Sequence, residues 1–352
     1  MTTFNLGQYV SALEVSKHGG EDGPLTPLIH ALSQVMEMYG DVHMEVANDG
    51  DGHKGLQQSS QPTGSYRMFN EGIATEAPSS VGFREPLVML DGRFQADRRM
   101  LMSKAGGDRG KAKEIRARMI VEYIIGMLKT FQTSIFYGTR ADGKSPLGLT
   151  QRSDWNALSS DYVYDNAGGA ASATANKASL WLIGHGPEKY TWIHGKDDAP
   201  SMNTIEQPEE TLKGVGVTVE ALRDELVADA SGTATNQFMA VRNYLEMHLS
   251  HAIMDGRYVR RQVNISMTAQ DGVDDFAFDE EPLIDMLEDI PDLENAVMYC
   301  NKPLRAQIRK RINVKGNIWH TVTDPFGRQV PGIDNVPLHI VERLTSAEAT
   351  VT

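Results

Sequence analysis

The chain has 352 residues, of which 40% are hydrophobic and 23% charged, with a formal net charge of −13 and a single cysteine. That length accommodates two or three ordinary modules, and the composition suits a soluble globular protein. No apolar run approaches the ~20 residues of a membrane span, Cys300 alone excludes an internal disulfide or a multi-cysteine zinc site, and the acidic balance argues against a protein that grips nucleic acid through many phosphates.

The N-terminus has no basic region followed by an apolar block, so no secretory signal is read there. Residues 1–25 lack a clear period and are expected to form a loose arm. A short helix follows, with Thr26 as N-cap, Pro27 at the first helical position, an apolar face of Leu28, Leu32, Val35, Met36 and Tyr39, and Gly40 at its end. Val42 to Val46 reads as a short strand. Residues 48–64 are rich in Gly, Asp, Gln and Ser and read as a loop. Ser65 to Phe69 and Leu87 to Phe94 are candidate strands of an elongated hairpin with few residues to bury. Such a hairpin is marginal alone, and a neighbouring subunit is a plausible support for it.

Residues 108–137 carry the strongest signal in the chain. Ile115, Met119, Ile120, Tyr123, Ile124, Met127, Leu128, Phe131 and Ile135 recur at steps of three and four, which places them on one face of a helix roughly 45 Å long. Gly106 and Gly107 precede this segment and Gly138 follows it, as a breaker and a C-terminal cap should. A glycine-rich turn runs to Arg152, and residues 165–177 read as loop. Leu180 to Ile183 is a short buried strand, and Val219 to Val227 is expected to be an amphipathic helix. Phe238 to His251 fits either helix or strand, whereas Arg257 to Met267 alternates as a strand does. Residues 271–294 hold eleven acidic residues and no basic one; within them Pro282 to Ile290 reads as a helix with Leu283, Met286, Leu287 and Ile290 on one face. Ala296 to Cys300 (strand), Pro303 to Ile312 (basic helix) and Pro337 to Leu344 (strand) complete an α+β pattern. No internal repeat is present.

Several motifs could carry chemistry. Residues 138–145 satisfy G-x-x-x-x-G-K-[ST] through Gly138, Gly143, Lys144 and Ser145. A phosphate-cradling loop needs a strand leading in and a helix leading out. Here a helix leads in and Pro146 follows Ser145, so the match is read as a decoy in a solvated turn. His248 and His251 could share a helical face as metal ligands, but lack a third donor; packing histidines are the plainer reading. Cys300 lacks an activating neighbour and is read as a buried structural thiol. Asp285 and Asp289 are read as a solvated helix face. Arg109, Lys111, Lys113, Arg116 and Arg118 crowd the first turns of the long helix, where positive charge opposes the macrodipole. Either water solvates them, or acidic groups of another segment or subunit pair with them. No catalytic residue, cofactor site or metal site is assigned.

The order of arm, extended hairpin, long helix, glycine-rich exit and mixed α/β region resembles the major capsid proteins of tailed double-stranded DNA bacteriophages, with the Hong Kong 97-type fold. The residues that carry the resemblance are IFYGTRADGKSPLGLTQR (135–152), ASLWLIGHGPEKYTWIHGK (178–196), MDGRYVRRQVNIS (254–266), AVMYCNKPLRAQIRK (296–310) and VPGIDNVPLHIVERL (330–344). The resemblance implies an N-terminal arm at 1–55 and an extended loop at 56–104. It implies a peripheral domain from 105–150 and 178–270 with its spine helix at 108–137, and an axial domain from 151–177 and 271–352. With the 178–266 blocks placed before the axial unit, it also implies a permuted domain order. The function so implied is self-assembly into pentamers and hexamers of an icosahedral head that encloses dsDNA. The protein would be located in the virion after assembly in the bacterial host cytoplasm, with a separate scaffolding protein, a portal and decoration proteins as partners. Two alternatives stand beside it: an encapsulin-like compartment shell, which shares the fold, and a nucleotide-binding enzyme using Gly143, Lys144 and Ser145.

Overall fold

The computed structural model describes residues 38–166, 168–171, 176–195, 217–219, 223–228, 237–267, 276–315, 320–323 and 329–352. The chain divides into two compact units. The expected arm at 1–25 and the start of the helix at Thr26 lie outside the described residues. The described end of that helix runs one residue past Gly40, to Asp41.

The larger unit takes in Glu37–Val88, Ser134–Lys196 and Ser250–Thr352. Its centre is a seven-stranded sheet in the order His320–Thr323, Gln329–Ile333, Val336–Ile340, Ala296–Cys300, Lys177–Gly184, Val259–Ser266, Val163–Asp165. Lys177–Gly184 is buried along its whole length and runs antiparallel to both Val259–Ser266 and Ala296–Cys300. Period-two alternation gives this strand two jobs. Ala178, Leu180 and Leu182 join the core made with Leu283, Met286, Leu287 and Ile290, at and just past helix Glu281–Asp289, and with Leu304 and Ile308 of helix Lys302–Lys315. On the opposite face, Trp181 meets Phe136 at 5.7 Å between ring centres. The chain's last residues are stitched to this sheet. The Glu348 amide donates to the Lys177 carbonyl at 2.9 Å, and Val351 exchanges two bonds with the side chain of Asn264, each at 2.9 Å.

The grouping expected from sequence set 178–270 with the long helix. The sheet joins Lys177–Gly184 and Val259–Ser266 to the strands between 296 and 340.

The smaller unit holds residues 89–133 and the described parts of 197–249. Here Asp97 caps helix Arg98–Lys104, its Oδ1 accepting from the amides of Arg99 (2.7 Å) and Met100 (3.3 Å). A Gly-Gly turn leads into the long helix Arg109–Tyr137, whose start is capped by Asp108 through the Gly110 amide at 2.7 Å. The buried positions Ile115, Met119, Ile120, Ile124, Met127, Leu128, Phe131 and Ile135 follow the predicted face. Tyr123, also on that face, is 38% exposed and packs against Gly92, where a Cβ would sit 2.3 Å from its ring. Beside the helix strands, Gln237–Ile253 buries Val241, Asn243, Leu245, Met247 and Leu249 in strict alternation.

One sequence expectation fails here for an identifiable reason. The helix expected at 219–227 is not found among the described residues: Val217–Val219 and Arg223–Ala228 are strands, paired antiparallel with Gln237–Ile253. Their apolar residues fit a 3.6 period by accident, and the long neighbouring strand supplies the backbone partners that decide the matter. Because Gln237–Ile253 is a strand, His248 and His251 differ in parity and cannot share a face.

Residues 65–69 are not a strand either. The extended hairpin is built from Gly52–Ser60 and Ser79–Pro86, paired antiparallel, and Val88–Asp97 belongs to the sheet of the long strand. The region read as loop at 48–64 thus contains half of the ribbon.

Candidate assembly surfaces

The ribbon is polar along most of both faces, so its geometry comes from cross-strand bonds rather than from a core. Gly55 stands opposite Phe83, and a Cβ at Gly55 would lie 2.3 Å from that ring, so the ring packs on bare backbone. At the base, the Asn48 side chain exchanges two 2.8 Å bonds with the Lys54 backbone, and Arg84 pairs with Asp49 and Asp51. Deeper in, Glu85 meets Arg152 at 2.6 Å, with the side chains 11% and 14% exposed. The tip, 61–78, is held by carboxylates. Glu71 accepts from the Met68 amide (2.8 Å), and Glu76 accepts from Thr63 (3.0 Å) and Gly64 (3.2 Å). It presents Tyr66, Met68, Phe69 and Ile73 to solvent, Phe69 at 99%.

A second surface lies in the smaller unit. Arg98, Arg109, Lys113 and Arg116 line a cleft of about 350 Å³, with Leu101, Met102, Ala112 and Val241 among its other described lining residues. Three of the five predicted basic residues of the long helix are therefore brought together. Lys111 is exposed outside the cleft, and Arg118 pairs with Glu114 one turn back at 3.2 Å. Sequence reading missed Arg98, which arrives from the preceding helix.

The glycine-lysine-serine match is a closed turn. The Gly138 amide caps the long helix on Ser134, and the Gly148 amide donates to Gly138 at 2.7 Å. A Cβ on Gly138 would fall 2.3 Å from the Pro146 carbonyl oxygen, and one on Gly148 would fall 2.5 Å from the Gly138 nitrogen. Gly143 turns the chain at φ +70°, and the Ser145 hydroxyl accepts from the Arg140 amide at 3.1 Å. Each of these residues already has a local geometric task, and the loop is followed by a single 3-10 turn, Leu149–Gln151, rather than an α-helix.

His251 is fully buried. Its Nδ1 meets the Tyr190 hydroxyl at 3.1 Å, and its Nε2 meets the Leu147 carbonyl at 2.8 Å and Arg152 at 3.3 Å. Burial, with the Arg152 charge adding, pushes its pKa down to about 3. His185, bonded to Tyr299 at 2.8 Å, is also pushed to about 3 by burial. Tyr299 and His339 both reach the buried carboxylate of Asp41, at 3.0 and 2.6 Å. His185 and His251 are neutral packing groups, and Tyr299 and His339 are polar anchors on Asp41. His248 is half-buried. Cys300 is buried in the core beneath helix Lys302–Lys315. Asp285 is exposed, and Asp289 accepts from Tyr164. Among the described residues no three His, Cys, Asp or Glu side chains gather as a metal site.

Residues 20–352 match the family of the major capsid protein GP7. The chain belongs to that family. A chain of the bacteriophage Epsilon15 structure superposes on all of this capsid protein with a TM-score of 0.71 at 20% identity, both chains being covered in full. The fold is accordingly the Hong Kong 97-type α+β capsid fold. The capsid of bacteriophage JBD30 (TM-score 0.43, 10% identity, 92% and 94% covered) and the SrpI encapsulin of Synechococcus elongatus PCC 7942 (0.41, 9%, 72% and 96%) are too distant in shape to carry an argument. No curated protein sequence matches. As a member of its family, the capsid protein is a structural subunit that assembles with itself into the icosahedral head of the phage, and its place is the virion.

Proposed function

We propose that the capsid protein closes its shell chiefly through the ribbon Gly52–Pro86, which serves as the extended loop laid on a neighbouring copy. The observation that carries this reading is the tip. Met68, Phe69 and Ile73 are 75%, 99% and 54% exposed, although the backbone around them is held by fixed hydrogen bonds. Covering each would gain about 1.5–3 kcal/mol, and an apolar patch kept in water marks an interaction surface. On this reading the smaller unit is the peripheral domain, with the long helix as its spine, and the sheet of the larger unit is the core of the axial domain. A separate scaffolding protein, a portal, decoration proteins and enclosed dsDNA complete the set of partners. Hexamers and pentamers require heterologous contacts that close into rings, which a projecting ribbon provides.

The test is Phe69→Asp combined with Ile73→Asp. The double variant is expected to give wild-type circular dichroism and no closed shells by electron microscopy. Shells at wild-type yield would overturn the proposal.

A further inference from the structure

We infer that two helix faces of the larger unit meet between copies of this chain: the exposed face of helix Glu281–Asp289 in one copy docks antiparallel on the exposed face of helix Lys302–Lys315 in the next. The inference rests on the self-assembly of the family and not on how the ribbon acts, so either reading can fail alone.

The two faces are complementary in charge and in outline. Helix Glu281–Asp289 turns Leu283, Met286 and Leu287 into the core and leaves Glu281, Ile284, Asp285 and Glu288 exposed along one stripe. It holds no basic residue. Helix Lys302–Lys315 buries Leu304, Gln307 and Ile308 and exposes Lys302, Pro303, Ala306, Arg309 and Lys310. It holds no acidic residue. Glu281 and Glu288 on one stripe, like Lys302 and Arg309 on the other, stand seven residues apart, about 10 Å along the axis. Each pair of charges flanks an apolar step. Ile284, 39% exposed, projects from one stripe, where the other offers only the smaller Pro303 and Ala306.

The helix ends set the direction. Glu288 lies in the last turn of its helix and Lys302 begins the other, so each charge sits at the macrodipole end of its own sign. Antiparallel docking brings Glu288 to Lys302 and Glu281 to Arg309, and it gives Glu288 and Lys302 the opposite pole of the partner helix. Both helices pack over one face of the seven-stranded sheet, against Leu180 and Leu182. A nucleic acid laid along Lys302 and Arg309 would therefore lie near the carboxylates of the adjacent helix, which repel it, and it offers Ile284 no aliphatic surface. A second copy supplies both counter-faces at once. The faces are different patches of one body, so the contact is heterologous, the kind that closes into rings.

The experiment uses the full chain. Ile284→Cys and Ala306→Cys chains are co-expressed, and the assembled particles are oxidised and run on a non-reducing gel; the native Cys300 is buried. A disulfide-linked dimer is expected from the mixture and from neither variant alone. Charge reversal gives an independent reading. Glu288→Lys and Lys302→Glu should each lower the particle yield about tenfold, because like charges then face each other, and the double variant Glu288→Lys/Lys302→Glu should restore it to within about twofold of wild type. Circular dichroism confirms that each variant is folded. Three outcomes overturn the inference: no linked dimer in the mixture, a dimer equally abundant in either variant alone, or no restoration in the double variant. Gel shifts of unassembled chain with short duplex DNA add a fourth: retardation that Lys302→Glu abolishes gives the cationic face to nucleic acid instead.

Discussion

Removing the carboxylate of Glu348 should destabilise the larger unit by several kcal/mol. Glu348 is 7% exposed and accepts from Tyr137 Oη at 2.6 Å, from Arg261 Nη2 at 2.9 Å and from the Ser179 hydroxyl; Arg261 is 3% exposed. Burial, with the neighbouring carboxylate adding, raises the Tyr137 pKa, so the phenol stays protonated and donates. In Glu348→Ala the guanidinium keeps its bonds to the Trp155 carbonyl (2.7 Å) and Ser179 (3.1 Å) but loses its counter-charge inside the protein. Breaking one side of such a pair costs about 3–5 kcal/mol, against a total stability of roughly 5–15 kcal/mol. Urea unfolding of unassembled protein, followed by the fluorescence of Trp155, Trp181 and Trp192, measures the loss. Arg261→Met alone should cost a similar amount, and the double variant Arg261→Met/Glu348→Leu markedly less than the sum, because no lone charge is left buried. A loss under about 1 kcal/mol in Glu348→Ala, or strict additivity, would refute the reasoning.

Three further outcomes are expected. His185 and His251 are neutral in the fold with pKa values near 3 against 6.5 unfolded; the unfolded chain therefore binds more protons between those values, and their stabilisation, complete above pH 6.5, drains as pH falls. Each contributes a slope of about 1.4 kcal/mol per pH unit, so urea midpoints should drop between pH 6.5 and 5, and His251→Gln should flatten the trend; a pH-independent midpoint contradicts the assignment. Gly126→Ala, where a Cβ meets nothing within 4 Å, should stabilise the long helix by about 1 kcal/mol in thermal melts; a fall in melting temperature would count against the free space seen there. Gly138→Ala should abolish soluble protein because its Cβ meets two backbone carbonyls, whereas Lys144→Ala should change neither stability nor shell yield and nucleotide should bind neither wild type nor variant; calorimetric binding of ATP would revive the phosphate-loop reading.

The long helix was legible because eight turns of unbroken periodicity leave few alternatives, and because Gly106, Gly107 and Gly138 mark its ends chemically. The same holds for helix Glu281–Asp289, with Pro282 at its start and apolar steps of three and four. The ribbon was not legible. A strand with solvent on both faces has no reason to alternate, so HKGLQQSS gives no signal, while the apolar Tyr66 to Phe69 invites a strand assignment that presumes burial within one chain. The strands at 217–228 were hidden because their partner lies in a segment that itself fits two periods. In the candidate surfaces, Lys113 and Arg116 could be read from the helix, but Arg98 reaches the cleft only through the turn at Gly106 and Gly107. Pairings such as Arg261 with Glu348 and Glu85 with Arg152 join residues 87 and 67 positions apart, and nothing local announces them.

The carboxylates that shape the ribbon tip have a consequence for how a shell can grow. Glu71 and Glu76 fix the backbone at Thr63, Gly64 and Met68 before any neighbour arrives. Ordering a residue costs about 1–2 kcal/mol of backbone entropy, and a tip already ordered does not charge that cost to the docking event. Each added subunit then needs only modest attraction to stay. Contacts that are individually weak can come apart again, so a misplaced subunit leaves before the shell closes around the error.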